Sequence, residues 1–244
     1  MKKIIKLIPV LCITILNLQC CKKELDPEKI VLKSIEAHGG IDKWKSAKEL
    51  SYVKTTILYD SLGSVEQKTI QTHKNIFGAK LTAEMKWIED SISKIVLLKN
   101  DNISIYFNGV EQKELKLKEK YHSAITGANY VIWQPFKLLE EGLHLSYEGA
   151  DVVDNKNVYT VKVIYFKEDG SPDNIWWYYF DQRTYKLLST MVHHGDTYSY
   201  IENTKYETVT GLSLNKERKS YRVDSLRNKK FLRADYFYEI LEFN

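Results

Sequence analysis

The feature that most constrains this chain is a repeated pattern: short segments with apolar residues at alternate positions, each ended by a turn signal. In Leu50-Ser51-Tyr52-Val53-Lys54-Thr55-Thr56-Ile57-Leu58-Tyr59, one face carries Val53, Ile57 and Tyr59, and Asp60-Ser61-Leu62-Gly63-Ser64 then closes a hairpin. A period of two is the signature of a β-strand. Further strands are expected at residues 69–75, 80–88, 93–98 and 103–107, with Asn100-Asp101-Asn102 and Asn108-Gly109 as punctuation. A second series begins near Leu143 and continues through 158–166, 175–180, 186–194, 197–203, 212–223 and 232–243. Its turns are Asp154-Asn155-Lys156-Asn157, Glu168-Asp169-Gly170-Ser171-Pro172-Asp173 and His194-Gly195-Asp196. Tyr outnumbers Phe by 17 to 8, and there are five Trp but only four Pro. That composition suits long antiparallel strands, wet on one face and buried on the other.

Two segments change period. Asp26-Pro27 supplies an N-cap and a first-turn proline, Ile30, Val31 and Ile35 form a buried stripe, and Gly39-Gly40 stops the helix. His38 falls in the last turn, where an imidazolium would favour the helix dipole. Ile41-Asp42-Lys43-Trp44 follows as a short turn whose Trp packs back onto the helix. The second helical segment covers about residues 111–141, broken by Gly127 and Pro135, with Tyr130, Trp133, Phe136, Leu138 and Leu139 as its apolar set. The expected fold class is therefore α+β, one large antiparallel sheet of about ten or eleven strands with a few helices at its start and middle.

Ahead of this domain, Met1-Lys2-Lys3 and the apolar run from Ile4 to Leu18 read as a secretory signal, too short to span a bilayer comfortably. Leu18-Gln19-Cys20-Cys21 resembles the lipobox of bacterial lipoproteins, and Cys21 stands in the register of the acylated thiol. No cysteine follows it, so the mature domain has no disulfide and depends on its core. The organisation is a signal peptide at 1–20, a charged tether at 21–25 and a single domain at 26–244. Without Lys2, Lys3 and Lys6, 33 basic residues stand against 32 acidic ones, a net charge of +1. Lysines alternate with acids, as in Lys113-Glu114-Leu115-Lys116-Leu117-Lys118-Glu119-Lys120, which reads as a solvated helix face rather than a nucleic-acid site.

His38-Gly39-Gly40 followed by Trp44, Pro135-Phe136-Lys137-Leu138 in the middle, and Trp177-Tyr178-Tyr179-Phe180-Asp181 at a strand end together resemble an uncharacterised group of envelope lipoproteins. That group is similar to the outer-membrane lipoprotein-sorting carriers of the LolA and LolB type. The resemblance implies a curved antiparallel half-barrel, lidded by helices on its concave face around an apolar cavity for acyl chains. It also implies a place in the cell envelope, at the outer membrane. The soluble sorting carrier has no lipid anchor, so an anchored chain compares more closely with the anchored receptor or with lipid-binding relatives.

The residues themselves point to a hydrophobic site through Ile175-Trp176-Trp177-Tyr178-Tyr179-Phe180, where both alternations are apolar or amphipathic. One face joins the core; the other packs under a helix, lines a groove or meets a partner. The candidate ligand-binding residues are Trp133, Phe136 and Leu139 from the lid and Trp177 and Tyr179 from the sheet. The chain has no phosphate loop, nucleophile elbow or zinc motif. His193 and His194 point to opposite faces of a strand, His73, His122 and His144 stand singly in polar surroundings, and Glu140-Glu141 and Glu89-Asp90 read as solvated pairs. The expected function is a non-enzymatic, membrane-anchored binder of a lipid or of a lipoprotein's acyl chain, with no cofactor, metal or nucleic acid. The alternatives are an anchored module that holds a protein or glycan on an aromatic sheet face, and, third, a hydrolase.

Overall fold

The computed structural model describes residues 25–166 and 172–244. The expected signal peptide at 1–20, the expected lipid-attachment residue Cys21 and the expected tether as far as residue 24 lie outside them. Among the described residues there are 13 strands in one antiparallel sheet. The first series is β1 (Glu49–Tyr59), β2 (Val65–Ile76), β3 (Thr82–Glu89), β4 (Ile92–Lys99), β5 (Asn102–Phe107) and β6 (Val110–Glu111). The second is β7 (His144–Val153), β8 (Lys156–Phe166), β9 (Pro172–Asp181), β10 (Leu187–His194), β11 (Thr197–Glu207), β12 (Leu214–Val223) and β13 (Lys229–Phe243). The antiparallel sheet and its two-series organisation agree with the sequence reading. The strand number rises because β6 is too short to show a period and β7 carries charges and glycine among its apolar residues.

Each series is a meander whose turns follow from local chemistry. Asp90 with Ser91, Asn100 with Asp101, and Asp154 with Asn155 hold positive φ at both central positions of two-residue loops, the geometry that matches strand twist. Asp60 accepts from the Leu62 and Ser64 amides to close β1–β2, and Asp181 accepts from the Arg183 and Thr184 amides to close β9–β10. The two meanders join at the middle, where β1 pairs with β13 from Leu50↔Phe243 to Leu58↔Ala234. This leaves β6 and β7 as the edges of an open sheet, and the helical segment between them crosses from one edge to the other. β6 is only two residues long, and β7 carries an irregularity between Tyr147 and Gly149; both features blunt an edge against unwanted pairing.

Among the described residues, three helices cover one face, called here the inner face. α1 (Pro27–Ala37) is capped by the Asp26 side chain, which accepts from the Glu28 amide at 3.0 Å, and it packs near β7. α2 (Ile41–Ser46) brings Trp44 onto Phe136, with ring centroids 5.8 Å apart and the planes 9° from parallel. α3 (Leu115–Ile132) lies over β3, β4 and β5. It runs unbroken through Gly127, because Tyr121, Ile125, Asn129 and Ile132 bury a stripe whose packing outweighs the roughly 1 kcal/mol cost of one glycine. The break falls at Pro135, after which Phe136–Leu139 forms a single 3-10 turn.

The inner face holds two apolar clusters. Under α1 and the 3-10 turn, Val31, Ile35, Leu50, Trp133, Phe136 and Tyr178 are among the buried residues; under α3, Met85, Val96, Ile105 and Ile125 are. A third cluster lies on the outer face, where Tyr179, Met191, Tyr200 and Val223 pack beneath the β12–β13 turn.

Candidate ligand-binding groove

The strand register decides which aromatics can share a site. Trp176 pairs with Val192, Val192 with Ser199 and Ser199 with Arg222, so these four form one row across the inner face. The next row is Tyr178, Thr190, Ile201, Ser220, Ala234 and Leu58. A third brings Asn203, Arg218, Tyr236 and Thr56 together. Ser199, Ser220 and Ala234 are small, and they occupy the middle of these rows. The sheet floor is therefore low between the large side chains of β9 and those of β13 and β1. A groove of about 470 Å³ fills the gap, with Trp176, Val192 and Ile201 on one side, Tyr236 and Tyr238 on the other, and Val131 of α3 above. That volume lies within the range of about 300–1,000 Å³ usual for small-molecule sites.

The groove is apolar on one side and cationic on the other. Lys54, Arg218, Arg222, Arg233 and His194 line it, and among the described residues no Asp or Glu does. Arg233 is neutralised by Glu66 and also donates to the Tyr59 carbonyl oxygen. Arg218 is 5% exposed, and its Nε donates to the neutral Asn203 Oδ1 at 3.0 Å. Arg222 donates to Ser199 Oγ at 2.8 Å, and Lys54 lies 5.3 Å from the centre of the Tyr236 ring. No described carboxylate forms an ion pair with any of these last three. Their field reaches the neighbouring imidazoles. Burial first and then Arg222 and His193 lower His194, while burial and then Lys54 bring His73 down to about 3.

The expected site residues divide among three places. Trp133 and Phe136 are each 1% exposed and, with Leu139, belong to the packed interior beneath the lid. Trp133 also borders a separate crevice of about 180 Å³, together with Trp44 and Phe77. Tyr179 is buried on the opposite face of the sheet with Trp177 packed beside it, because 177 and 179 have the other parity from 176, 178 and 180. Arg227 lies 5.0 Å from the Tyr179 ring centre, and Lys229 lies 4.5 Å from that of Tyr221, so cations of the β12–β13 turn cover this outer cluster. The five residues do not meet around one cavity. The groove side chains that sequence reasoning missed are Trp176, Val192, Ile201, Arg218, Arg222, Tyr236 and Tyr238.

The placement of His38 and His73 also differs from the sequence reading, whereas His193 and His194 do point to opposite faces. His38 caps α1 but is fully buried; burial, with Lys186 nearby, lowers it to about 4, so it is neutral and adds no charge to the helix terminus. Its Nδ1–H donates to the Ser34 carbonyl oxygen at 2.7 Å. His73 is buried and stacks on Tyr52 at 4.7 Å, not in polar surroundings. His193 stacks on Tyr198, and His194 Nε2 lies 3.4 Å from Ser199 Oγ. Among the described residues no carboxylate hydrogen-bonds to His38, His193 or His194, and no group of three His, Cys, Asp or Glu is gathered as for a metal.

An open antiparallel sheet with its inner face lidded by an edge-to-edge helical segment defines a LolA-like fold. A LolA superfamily protein from Nitrosomonas europaea matches with a TM-score of 0.56 at 9% identity, over 90% of this chain and 93% of the other. A DUF1329 family protein from Desulfovibrio piger matches with a TM-score of 0.52 at 8% identity, over 90% and 93% of the two chains. Within this fold the chain belongs to DUF6503, a family of unknown function whose profile matches residues 2–199. No curated protein matches it.

Proposed function

We propose that this protein is a lipid-anchored protein of the cell envelope that holds a hydrophobic ligand, a lipid or an acyl chain of a lipoprotein, in the inner-face groove without covalent chemistry. The groove carries the reading: small residues in the sheet floor keep a volume of about 470 Å³ open on the inner face, beside its two packed clusters. Trp176, Val192, Ile201 and Tyr238 supply the apolar contact, and Trp133, Phe136 and Leu139 anchor the roof. Residues 1–20 serve as the signal peptide, Cys21 is the acylated residue, 21–25 form the tether and 26–244 the binding domain. The likeness to a LolA superfamily protein supports an envelope role of this kind. The outer membrane is the proposed site of anchorage. The alternative, a partner held on an aromatic sheet face, draws less support, since Arg227 and Lys229 cover the outer aromatics.

The test is native mass spectrometry of the purified full chain, alongside uptake of a fluorescent fatty acid. Co-purifying lipid is expected in the wild type and not in Ile201→Trp, which fills the groove. No lipid and no uptake in the wild type, or equal uptake by the filled variant, overturns the reading. Separately, Cys21→Ala is expected to move the protein from the membrane fraction to the soluble one; retention in the membrane overturns the anchor.

A further inference from the structure

The groove has an unbalanced charge that an apolar ligand alone leaves unexplained. Arg218 is almost wholly buried and holds only a neutral amide oxygen, Arg222 holds hydroxyls, and Lys54 faces an aromatic ring. A buried guanidinium without an anion costs several kcal/mol of lost hydration, and such groups are ordinarily paired with a carboxylate or phosphate. Among the described residues, the carboxylate paired at the rim, Glu66, is taken by Arg233. Across the sheet, Arg218 and Tyr236 are direct neighbours, as are Lys54 and Tyr238, so the cations converge on two phenol rings at one wall. The opposite wall, Trp176 and Val192, is apolar.

We infer that the groove is built for an anionic amphiphile: a carboxylate or phosphate headgroup seated among Lys54, Arg218 and Arg222 beside Tyr236, with its acyl chain along Trp176, Val192 and Ile201. This rests on the groove being a ligand site and adds the headgroup that selects the ligand. A charge-assisted bidentate contact from a guanidinium gives both energy and orientation. The apolar wall contributes affinity for any chain, whereas the cationic wall discriminates among heads.

Three probes test this on the purified full chain: a fluorescent long-chain fatty acid at neutral pH, the alcohol with the same chain, and inorganic phosphate alone. The acid is expected to bind about tenfold or more tightly than the alcohol, since hydrogen bonds to charged groups are the stronger class. Arg218→Gln should bring the two affinities close together. Because that side chain is buried, Lys54→Met with Arg222→Gln on the more open rim serves as a second variant expected to narrow the ratio. Equal binding of acid and alcohol by the wild type overturns the headgroup inference and leaves the apolar groove standing. Failure of both to bind overturns the groove as well. Phosphate displacing the acid while the alcohol does not bind identifies a free-anion site, and an undiminished ratio in both variants removes these residues from the assignment.

Discussion

Two buried imidazoles contribute to how this protein responds to mild acid. Burial holds His38 at about 4 and His73 at about 3, against an ordinary value of 6.5. Below pH 6.5 the unfolded chain takes up protons that the folded one refuses, so stability is full at neutral pH and falls as pH drops, levelling off only below the folded values. At pH 5 each histidine has cost about 2 kcal/mol. His73→Phe keeps a ring against Tyr52 and removes the titration. Denaturant unfolding at pH 7 and pH 5 should show the variant losing about 2 kcal/mol less than wild type over that interval; equal losses would remove His73 as a source. At the same scale, Trp176→Ala should weaken fatty-acid uptake while Trp177→Ala lowers stability and leaves uptake near wild type, measured by probe titration and thermal melting. The sequence revealed an aromatic strand but not this distinction. Ile175-Trp176-Trp177-Tyr178-Tyr179-Phe180 is apolar on both alternations, so no periodicity tells inner from outer. Arg218 was equally hidden, since Lys216-Glu217-Arg218-Lys219 is charged at every position.

The helical elements were more legible because their signals are local. Asp26-Pro27 opens α1 where expected, and Gly39-Gly40 ends it with φ of 115° and 89°. What the sequence could not supply is why Gly39 is required beyond that angle. A β-carbon there would sit 2.6 Å from the Gly211 carbonyl oxygen, at the place where the Ser213 amide donates to the His38 carbonyl oxygen. The helix end is thus docked on the β11–β12 turn. Gly39→Ala should cost about 2 kcal/mol or more, from backbone strain and from displacing that turn. Gly127 presents the opposite case: it lies mid-helix in α3, with no atom within 4 Å of an added β-carbon. Gly127→Ala should gain up to about 1 kcal/mol. Paired denaturation midpoints, one falling and one rising, check both statements; a loss at residue 127 would mean that the lid there contacts something a β-carbon disturbs.

At the scale of the whole molecule, the decisive contact is the pairing of the first strand with the last. Two meanders and a helical middle can be read along the chain, but β1 and β13 are separated by nearly its whole length, and no local period encodes their register. Once formed, that seam leaves the two edges to β6 and β7 and makes the helical segment between them a lid rather than an appendage. The groove depends on the same seam, since Leu58 on β1 and Tyr236 and Tyr238 on β13 form one of its walls. Phe237 offers a clean test because it lies on β13 opposite Thr55 of β1 and Glu217 of β12, and its side chain is 41% exposed. Phe237→Ala removes about half of an aromatic side chain's buried surface and should cost about 1–2 kcal/mol. Phe237→Pro withdraws a backbone donor in a central strand and fixes φ away from the extended value, so it should cost about 3 kcal/mol or more and broaden unfolding. Val110→Pro, in the two-residue edge strand β6, should stay within about 0.5 kcal/mol of wild type. If denaturant unfolding finds the edge and seam prolines equally costly, the sheet is not held together at its middle; if only the seam variant also loses fatty-acid uptake, fold and groove share that one pairing.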